Sequence, residues 1–471
     1  MNIDDLEWQE RSHAGGVPPA MAERLVGLGR LDLVIRAAAE RGEWFCAVVA
    51  VRELCAVGDF DGACTAVEPF AATGWKPAVV LLADVLFQWG RTEEALALVR
   101  PAADVQDGRE WREFALMLAR AGRVDDAIEV LVPHLRDWWL VETLVDLTEG
   151  QGRDEQVLEL LDPLAEAAGQ CGANRDHRHE PWNAQELRAR VLERTGRADE
   201  AIRTLGADVA AGRYLSQNTL TCYAELLARH GRIEELRILG TGAKASAVLG
   251  HYAKALEDAG RAQEAEVVLR EFLEITGHDT HRISLIGLLS RQGRIDEAVE
   301  VGRPTFEYDG GWNQLDLITQ LLVEDGRPER ALELLDERSA SYVQEHLWWL
   351  RPTRLRLLAE AGRLDQAVAE AKALTVEECG ERDCETARLL ARNGCVEEAV
   401  ELLRSSAETF APQRLAELLI EQGRAEEAIA ALPPVSVARR RAEERRRADP
   451  SDMDLLFDRL LAAQDRDAAT D

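Results

Sequence analysis

Apolar residues in this chain recur with helical spacing, and at intervals a glycine interrupts them. The stretch ARAGRVDDAIEVL, residues 119–131, shows the unit: a helix-forming run stops at Gly122, acids follow at Asp125 and Asp126, and a second apolar run begins. Glycine closes a helix because it enters the left-handed conformation without a Cβ penalty, and carboxylates are stabilised at the positive end of the next helix dipole. The pattern predicts helix, tight turn, helix. Nearly the same phrase returns as SRQGRIDEAVEVG at 290–302.

Equivalent glycines stand at 29, 58, 90, 122, 152, 196, 231, 260, 293, 326, 362, 394 and 423. They span 394 residues in twelve intervals, a mean period of 32.8, and self-similarity at roughly 20 to 50 residues is the mark of a solenoid. Other columns keep the register. The residue four before the glycine is Leu in twelve copies, from Leu25 to Leu419, with Thr148 the exception. The residue five after it is Ala in ten: Ala63, Ala95, Ala127, Ala201, Ala265, Ala298, Ala331, Ala367, Ala399 and Ala428. A leucine that fills the core and an alanine that permits close approach are what two antiparallel helices need where they cross.

With this period, the alanine after the turn and a small residue seven before it (Ala83, Ala115, Ala189, Ala224, Ala253, Ala387, Ala416), residues 20–433 resemble tetratricopeptide repeats. The family's first-helix tyrosine is replaced by the leucine column, and its proline closing the second helix is mostly missing. The resemblance implies an all-α fold, a right-handed α-solenoid or superhelix of about 13 antiparallel helix pairs. Residues 1–19 are read as an N-terminal tail or cap, and 434–471 as an Arg-rich linker helix followed by an amphipathic capping helix.

Composition agrees with this architecture, since 30% charged, 46% hydrophobic and 5% aromatic residues suit a long array of amphipathic helices. The formal net charge of -30 argues against a nucleic-acid binder, which needs a basic stripe to displace counterions. The acidic opening MNIDDLEWQE has none of the basic and apolar regions of a secretory leader, and no stretch approaches the roughly 18 apolar residues of a membrane helix. A cytoplasmic protein with no membrane partner is expected.

Catalytic patterns are thin: no glycine-rich phosphate loop after a strand, no serine elbow and no HExxH. The eight cysteines fall singly, and the closest pair, Cys379 and Cys384, matches no common zinc spacing. One interval, from Gly152 to Gly196, runs to 44 residues, and the excess falls in GQCGANRDHRHEP at 169–181. Insertions in solenoids emerge as loops. This one gathers Cys171, Asp176, His177, His179 and Glu180, all capable metal ligands, but an HxH without a second spaced pair reads as a polar surface loop. No enzyme, cofactor or metal is expected, and a metal-dependent enzyme at 169–181 stands as the least favoured alternative.

The resemblance also implies that the first helix of each pair carries the binding face, through positions 13, 10 and 6 before the turn glycine. On those columns the partner-binding candidates are Trp139, Asn183, Arg190, Asn218, Lys254, Asn313, Trp349 and Arg356. Asparagine amides both donate and accept, as a peptide backbone requires, and basic side chains meet acidic groups. Nine tryptophans, among them the doublets Trp138-Trp139 and Trp348-Trp349, cluster near first-helix starts. Neighbours in a helix lie about 100° apart, so one ring of each doublet is expected outside. The reading is a non-enzymatic scaffold or adaptor for a protein or peptide partner; the alternative is a regulatory receptor that responds to a small signal or peptide and acts through a partner.

Near the C-terminus, DMDLLFDRLLAAQ at 452–464 sets Met453, Leu456, Phe457, Leu460 and Leu461 on one helical face. Terminal solenoid repeats need a cap, so this face is expected to dock on the hairpin around Gly423, with pairing to a second chain as a homodimer and a partner-recruiting tail as the alternatives.

Overall fold

The computed structural model describes residues 2–12, 16–102, 105, 107–170, 183–211, 216–242, 245–303, 311–339, 347–375 and 379–448. Among these residues every regular element is helical. The chain begins with α1 (Ile3–Ser12), and a helix pair then flanks each turn glycine. The first pairs are α2 (Pro19–Gly27) and α3 (Leu31–Arg41), α4 (Trp44–Ala56) and α5 (Phe60–Ala71), α6 (Lys76–Gln88) and α7 (Thr92–Val99), α8 (Gly108–Arg120) and α9 (Val124–Leu131). Next come α10 (Trp138–Leu147) and α11 (Asp154–Gln170), α12 (Ala184–Arg194) and α13 (Ala198–Ala210), α14 (Gln217–Arg229) and α15 (Ile233–Gly240), α16 (Ala245–Asp258) and α17 (Ala262–Thr276). The series continues with α18 (Asp279–Arg291) and α19 (Ile295–Gly302), α20 (Gly311–Glu324) and α21 (Pro328–Ser339), α22 (Leu347–Glu360) and α23 (Leu364–Ala373). It ends with α24 (Arg382–Arg392) and α25 (Val396–Ser405), α26 (Ala411–Glu421) and α27 (Ala425–Ala431), then α28 (Val435–Ala448).

The turn glycines all have positive φ, from 65° at Gly231 to 84° at Gly90. A Cβ added at any of them would meet no atom within 4 Å, so backbone conformation, not crowding, selects glycine. The leucine column serves twice. Its carbonyl accepts the N–H of the residue after the glycine, as from Arg123 to Leu118 at 2.9 Å and from Arg261 to Leu256 at 2.8 Å, the six-to-one bond of a Schellman close. Its side chain fills the core in every copy except the half-buried Leu54, and all ten column alanines are buried. The arginine that commonly follows the glycine then pairs with the acid three residues on, Arg123 with Asp126 at 2.6 Å and Arg261 with Glu264 at 2.7 Å.

Thr148, the break in the leucine column, is buried and keeps its hydroxyl satisfied. It donates to the Leu144 carbonyl at 2.7 Å and accepts from Arg194 of the next repeat at 3.2 Å. Arg194 also reaches the Val145 carbonyl at 2.7 Å and Asp154 at 2.6 Å, so one guanidinium joins α10, α11 and α12. Trp44 and Trp75, both buried, meet edge to face at 4.8 Å and fill the space between successive hairpins.

The helices sort into two compact units. One holds Met1–Val99, Leu347–Leu355 and the chain from Arg363 onward; the other holds Arg100–His346 and Arg356–Gly362. Within the first unit the first and last hairpins touch, and Arg439 of α28 pairs with Asp5 of α1 at 2.7 Å. The C-terminal stretch 452–464, expected to cap the hairpin around Gly423, lies outside the described residues, as do 171–182 of the insertion. No helix among the described residues is long and apolar enough to cross a membrane.

Candidate binding surface

The first helices α10, α12, α14 and α16, all in the second unit, carry charged side chains in register. Arg190 of α12 pairs with Asp146 of α10. Arg229 of α14 pairs with Glu193 of α12 at 2.8 Å and stands 3.9 Å from Glu225, while His230 reaches Glu193 at 2.9 Å. The hydrogen bond from Arg229 holds the Glu193 carboxyl below its ordinary range. The same device recurs two repeats on, where Arg291 of α18 pairs with Glu257 of α16 at 2.8 Å. Lys254 is held by Asp258 and by Glu257, the latter at 3.7 Å.

Between these neutral pairs lies a row of acids in excess. Glu186 of α12 is half-buried, and its Oε2 is screened from solvent without a hydrogen-bond partner. Burial, then repulsion from Glu142 of α10 and Glu225 of α14, push its carboxyl up, against the pull of Arg190. Beside it the Cys222 thiol is pushed up to about 12, first by burial and then by Glu186. Three carboxylates on three consecutive first helices thus share one stretch of surface whose arginines, Arg190 and Arg229, already serve Asp146 and Glu193. Such a surface offers acceptors and negative potential to an incoming cation.

The residues expected at the binding face take different places. Lys254, Arg190 and Arg356 are exposed or half-exposed and each is paired, Arg356 with Asp316 at 3.4 Å. Asn218 is exposed near the start of α14. Asn183 is only 4% exposed; its Nδ2 donates to the Trp138 carbonyl at 3.1 Å and its Oδ1 has no partner, so it ties α12 to α10 instead of presenting an amide outward. Trp138 is the exposed ring of its doublet, at 38%, and the half-buried Trp139 lies against Gly108, where an added Cβ would come within 2.8 Å of its Cζ2. Asn313 lies on α20 and Trp349 on α22, with their side chains outside the described set; Trp349 falls in the other unit. The column ten before the glycine, which holds Glu142 and Glu186, was the signal in the sequence that the candidates above did not draw on.

A cleft of about 300 Å³ opens between α11, α12 and α13. Its polar walls are Asp162, Glu166, Gln185, Arg188, Thr204 and Asp208. Arg188 bridges it to Asp162 at 2.5 Å, and Gln185 donates to Asp208 at 3.1 Å, a buried pair that fixes the floor. In the first unit, ligating atoms of Glu381, Cys384 and Glu408 lie within 4.8 Å of one another. Glu408 accepts the N–H groups of Asp383 and Cys384 at 2.6 and 2.9 Å, and the Cys384 thiol, held protonated by burial and by Glu381, donates to Glu381 at 3.3 Å. These contacts cap the N-terminus of α24, which accounts for the cluster without an ion.

Residues 77–101, the hairpin α6/α7, match the tetratricopeptide repeat family model. No curated protein matches the chain. Among solved structures, Naa15/Naa10 bound to HypK-THB is 16% identical, covers 85% of this chain and 68% of that one, and gives a TM-score of 0.35. The pentatricopeptide repeat protein PPR10 from maize is 18% identical over 88% of this chain and 61% of its own, with a TM-score of 0.36. Yeast Tom70 is 15% identical over 85% and 96%, at 0.30. The hairpin that matches the family model is built with the same glycine, leucine and alanine columns as those before and after it, so this chain is an array of helical hairpins similar to tetratricopeptide repeats.

Proposed function

We propose that this protein is a non-enzymatic scaffold that binds a basic segment of a protein partner along the first helices α10, α12 and α14. The observation that carries the reading is the row Glu142, Glu186 and Glu225, in which Glu186 keeps a screened oxygen without a partner and is crowded by like charges. A surface that repels itself in the free protein gains when a lysine or arginine enters, because the cation relieves the repulsion and completes the hydrogen bonds. Neighbouring Asn218 and the exposed ring of Trp138 supply an amide and an amphipathic anchor.

Binding of fluorescent lysine- and arginine-rich peptides tests the reading, with an acidic peptide as control. The wild type is expected to prefer the basic peptides, and the Glu142→Gln plus Glu186→Gln variant to lose affinity by at least about thirtyfold, as when a desolvated charge pair is broken. The same variant should be at least as stable as wild type without ligand. Equal binding by both proteins would remove the acidic row from the site.

A further inference from the structure

The two ends of the repeat array are joined inside the first unit. Arg24 of α2 pairs with Glu421 of α26 at 3.3 Å, and Arg30, after the first turn glycine, pairs with Glu426 of α27 at 3.0 Å. Arg41, at the end of α3, donates to the carbonyls of Ile429 and Leu432 at 2.9 Å each. Its third contact, to Glu43 at 3.1 Å, anchors it on a fully buried carboxylate that also accepts from Gln9 and from the Val17 N–H.

The register of these contacts identifies the joint. Arg30 is one residue after its turn glycine and Glu426 is three after its own. The same two positions pair between consecutive repeats at five joints among the described residues: Arg153 with Asp125 at 2.6 Å, Arg197 with Glu155 at 3.1 Å, Arg232 with Asp199 at 2.9 Å, Arg327 with Asp296 at 2.8 Å and Arg424 with Glu397 at 3.4 Å. In each case the arginine belongs to the later repeat and the acid to the earlier. In Arg30–Glu426 the first hairpin stands where a repeat following the last would stand.

We infer that the first and last hairpins form an ordinary repeat-to-repeat joint that one chain satisfies within itself or two copies satisfy between them, end to end. The surfaces are complementary and not identical, which is the heterologous kind of contact that joins successive copies wherever it is not closed within one chain. Its ion pairs are solvent-exposed, so each is weak and screened by salt. What favours closure within one chain is the high local concentration of its own other end. The partner this surface fits is a second copy of this protein, and the trigger is anything that separates the ends.

A charge exchange tests this with the full-length chain. One variant carries Arg24→Glu and Arg30→Glu; a second carries Glu421→Arg and Glu426→Arg. Alone at low salt, each opposes like charges across its own joint, and amides of α2 and α27 are expected to exchange at least about tenfold faster than in wild type, with α4–α6 unchanged as the control for folding. Mixed in equal amounts, the two offer each other matched charges at both joints, and light scattering should find twice the single-chain mass. A chain carrying all four substitutions should behave as the wild type. Unchanged exchange in the separate variants would show that charge does not hold the joint, and a mixture that stays at single-chain mass would overturn its use between copies.

Discussion

Gly260 and Gly16 both sit at positive φ, 75° and 63°, yet replacing them tests different physics. Around Gly260 the space is open, so Gly260→Val is resisted by backbone conformation alone and should cost at least about 1 kcal/mol. A Cβ at Gly16 would lie 1.9 Å from Oε2 of the buried Glu43, so Gly16→Ala adds a collision to the strain and should cost more than Gly260→Ala. Urea midpoints rank the two, and the reverse order would unseat Glu43 from its site. Glu43 itself carries a pH signature. Burial holds its carboxyl above the ordinary value of 4.5, against the Val17 N–H, Arg41 and Gln9. A folded state that holds a proton more tightly than the unfolded chain loses stability as pH rises from that value through the raised one. Relative to wild type, Glu43→Gln should therefore gain stability across that range, read from midpoints at its two ends; a pH-independent difference would mean an ordinary carboxyl.

Each hairpin is set by local rules, and the informative element is the one that departs from them. Thr148 replaces leucine at the end of α10, and the position is repaired by Arg194, whose side chain is only 16% exposed and which serves Thr148, Val145 and Asp154 together. Arg194→Ala leaves a carbonyl, a hydroxyl and a partly buried carboxylate without their partner, and should cost about 2–4 kcal/mol. Thr148→Leu alone should not recover the ordinary repeat, because Asp154 and the Val145 carbonyl still need the guanidinium. Thermal melts of the two variants check both statements. The sequence marked this place twice, by the missing leucine and by the 44-residue interval, but neither mark names Arg194, which lies 46 residues from Thr148 and one repeat away.

At the scale of the whole molecule, the flank of the last hairpin already carries the contacts of α2 and α3 through Arg24, Arg30 and Arg41. Deleting residues 449–471 should therefore leave the melting midpoint within about 1 °C of wild type, the shift that about 1 kcal/mol produces in a chain this long. Docking of the amphipathic face of 452–464 on the hairpin around Gly423 would give a larger loss instead, and a drop of several degrees in differential scanning calorimetry would show that 452–464 covers surface of its own. The acidic row of Glu142, Glu186 and Glu225 also belongs to this scale, since it exists only because three successive first helices lie side by side, with Glu142 and Glu186 ten residues before their glycines and Glu225 six before its own.

By itself the sequence determined the turn inside each of the thirteen hairpins. Glycine at positive φ, a leucine four residues earlier and acids in the next first turn act within one or two helical turns of each other, so Gly122 and its twelve counterparts could be read without any tertiary information. It also determined the inward side of each hairpin, because the leucine and alanine columns follow the helix period. The tertiary structure alone decided what those hairpins do to one another. Asn183, an apparent peptide-binding amide, is buried against α10, and the exposed partner of the tryptophan doublet is Trp138 and not Trp139. Arg30 meets Glu426 across 396 residues. No local preference encodes that contact: it depends on how side chains pack between hairpins far apart in sequence, not on any residue within one.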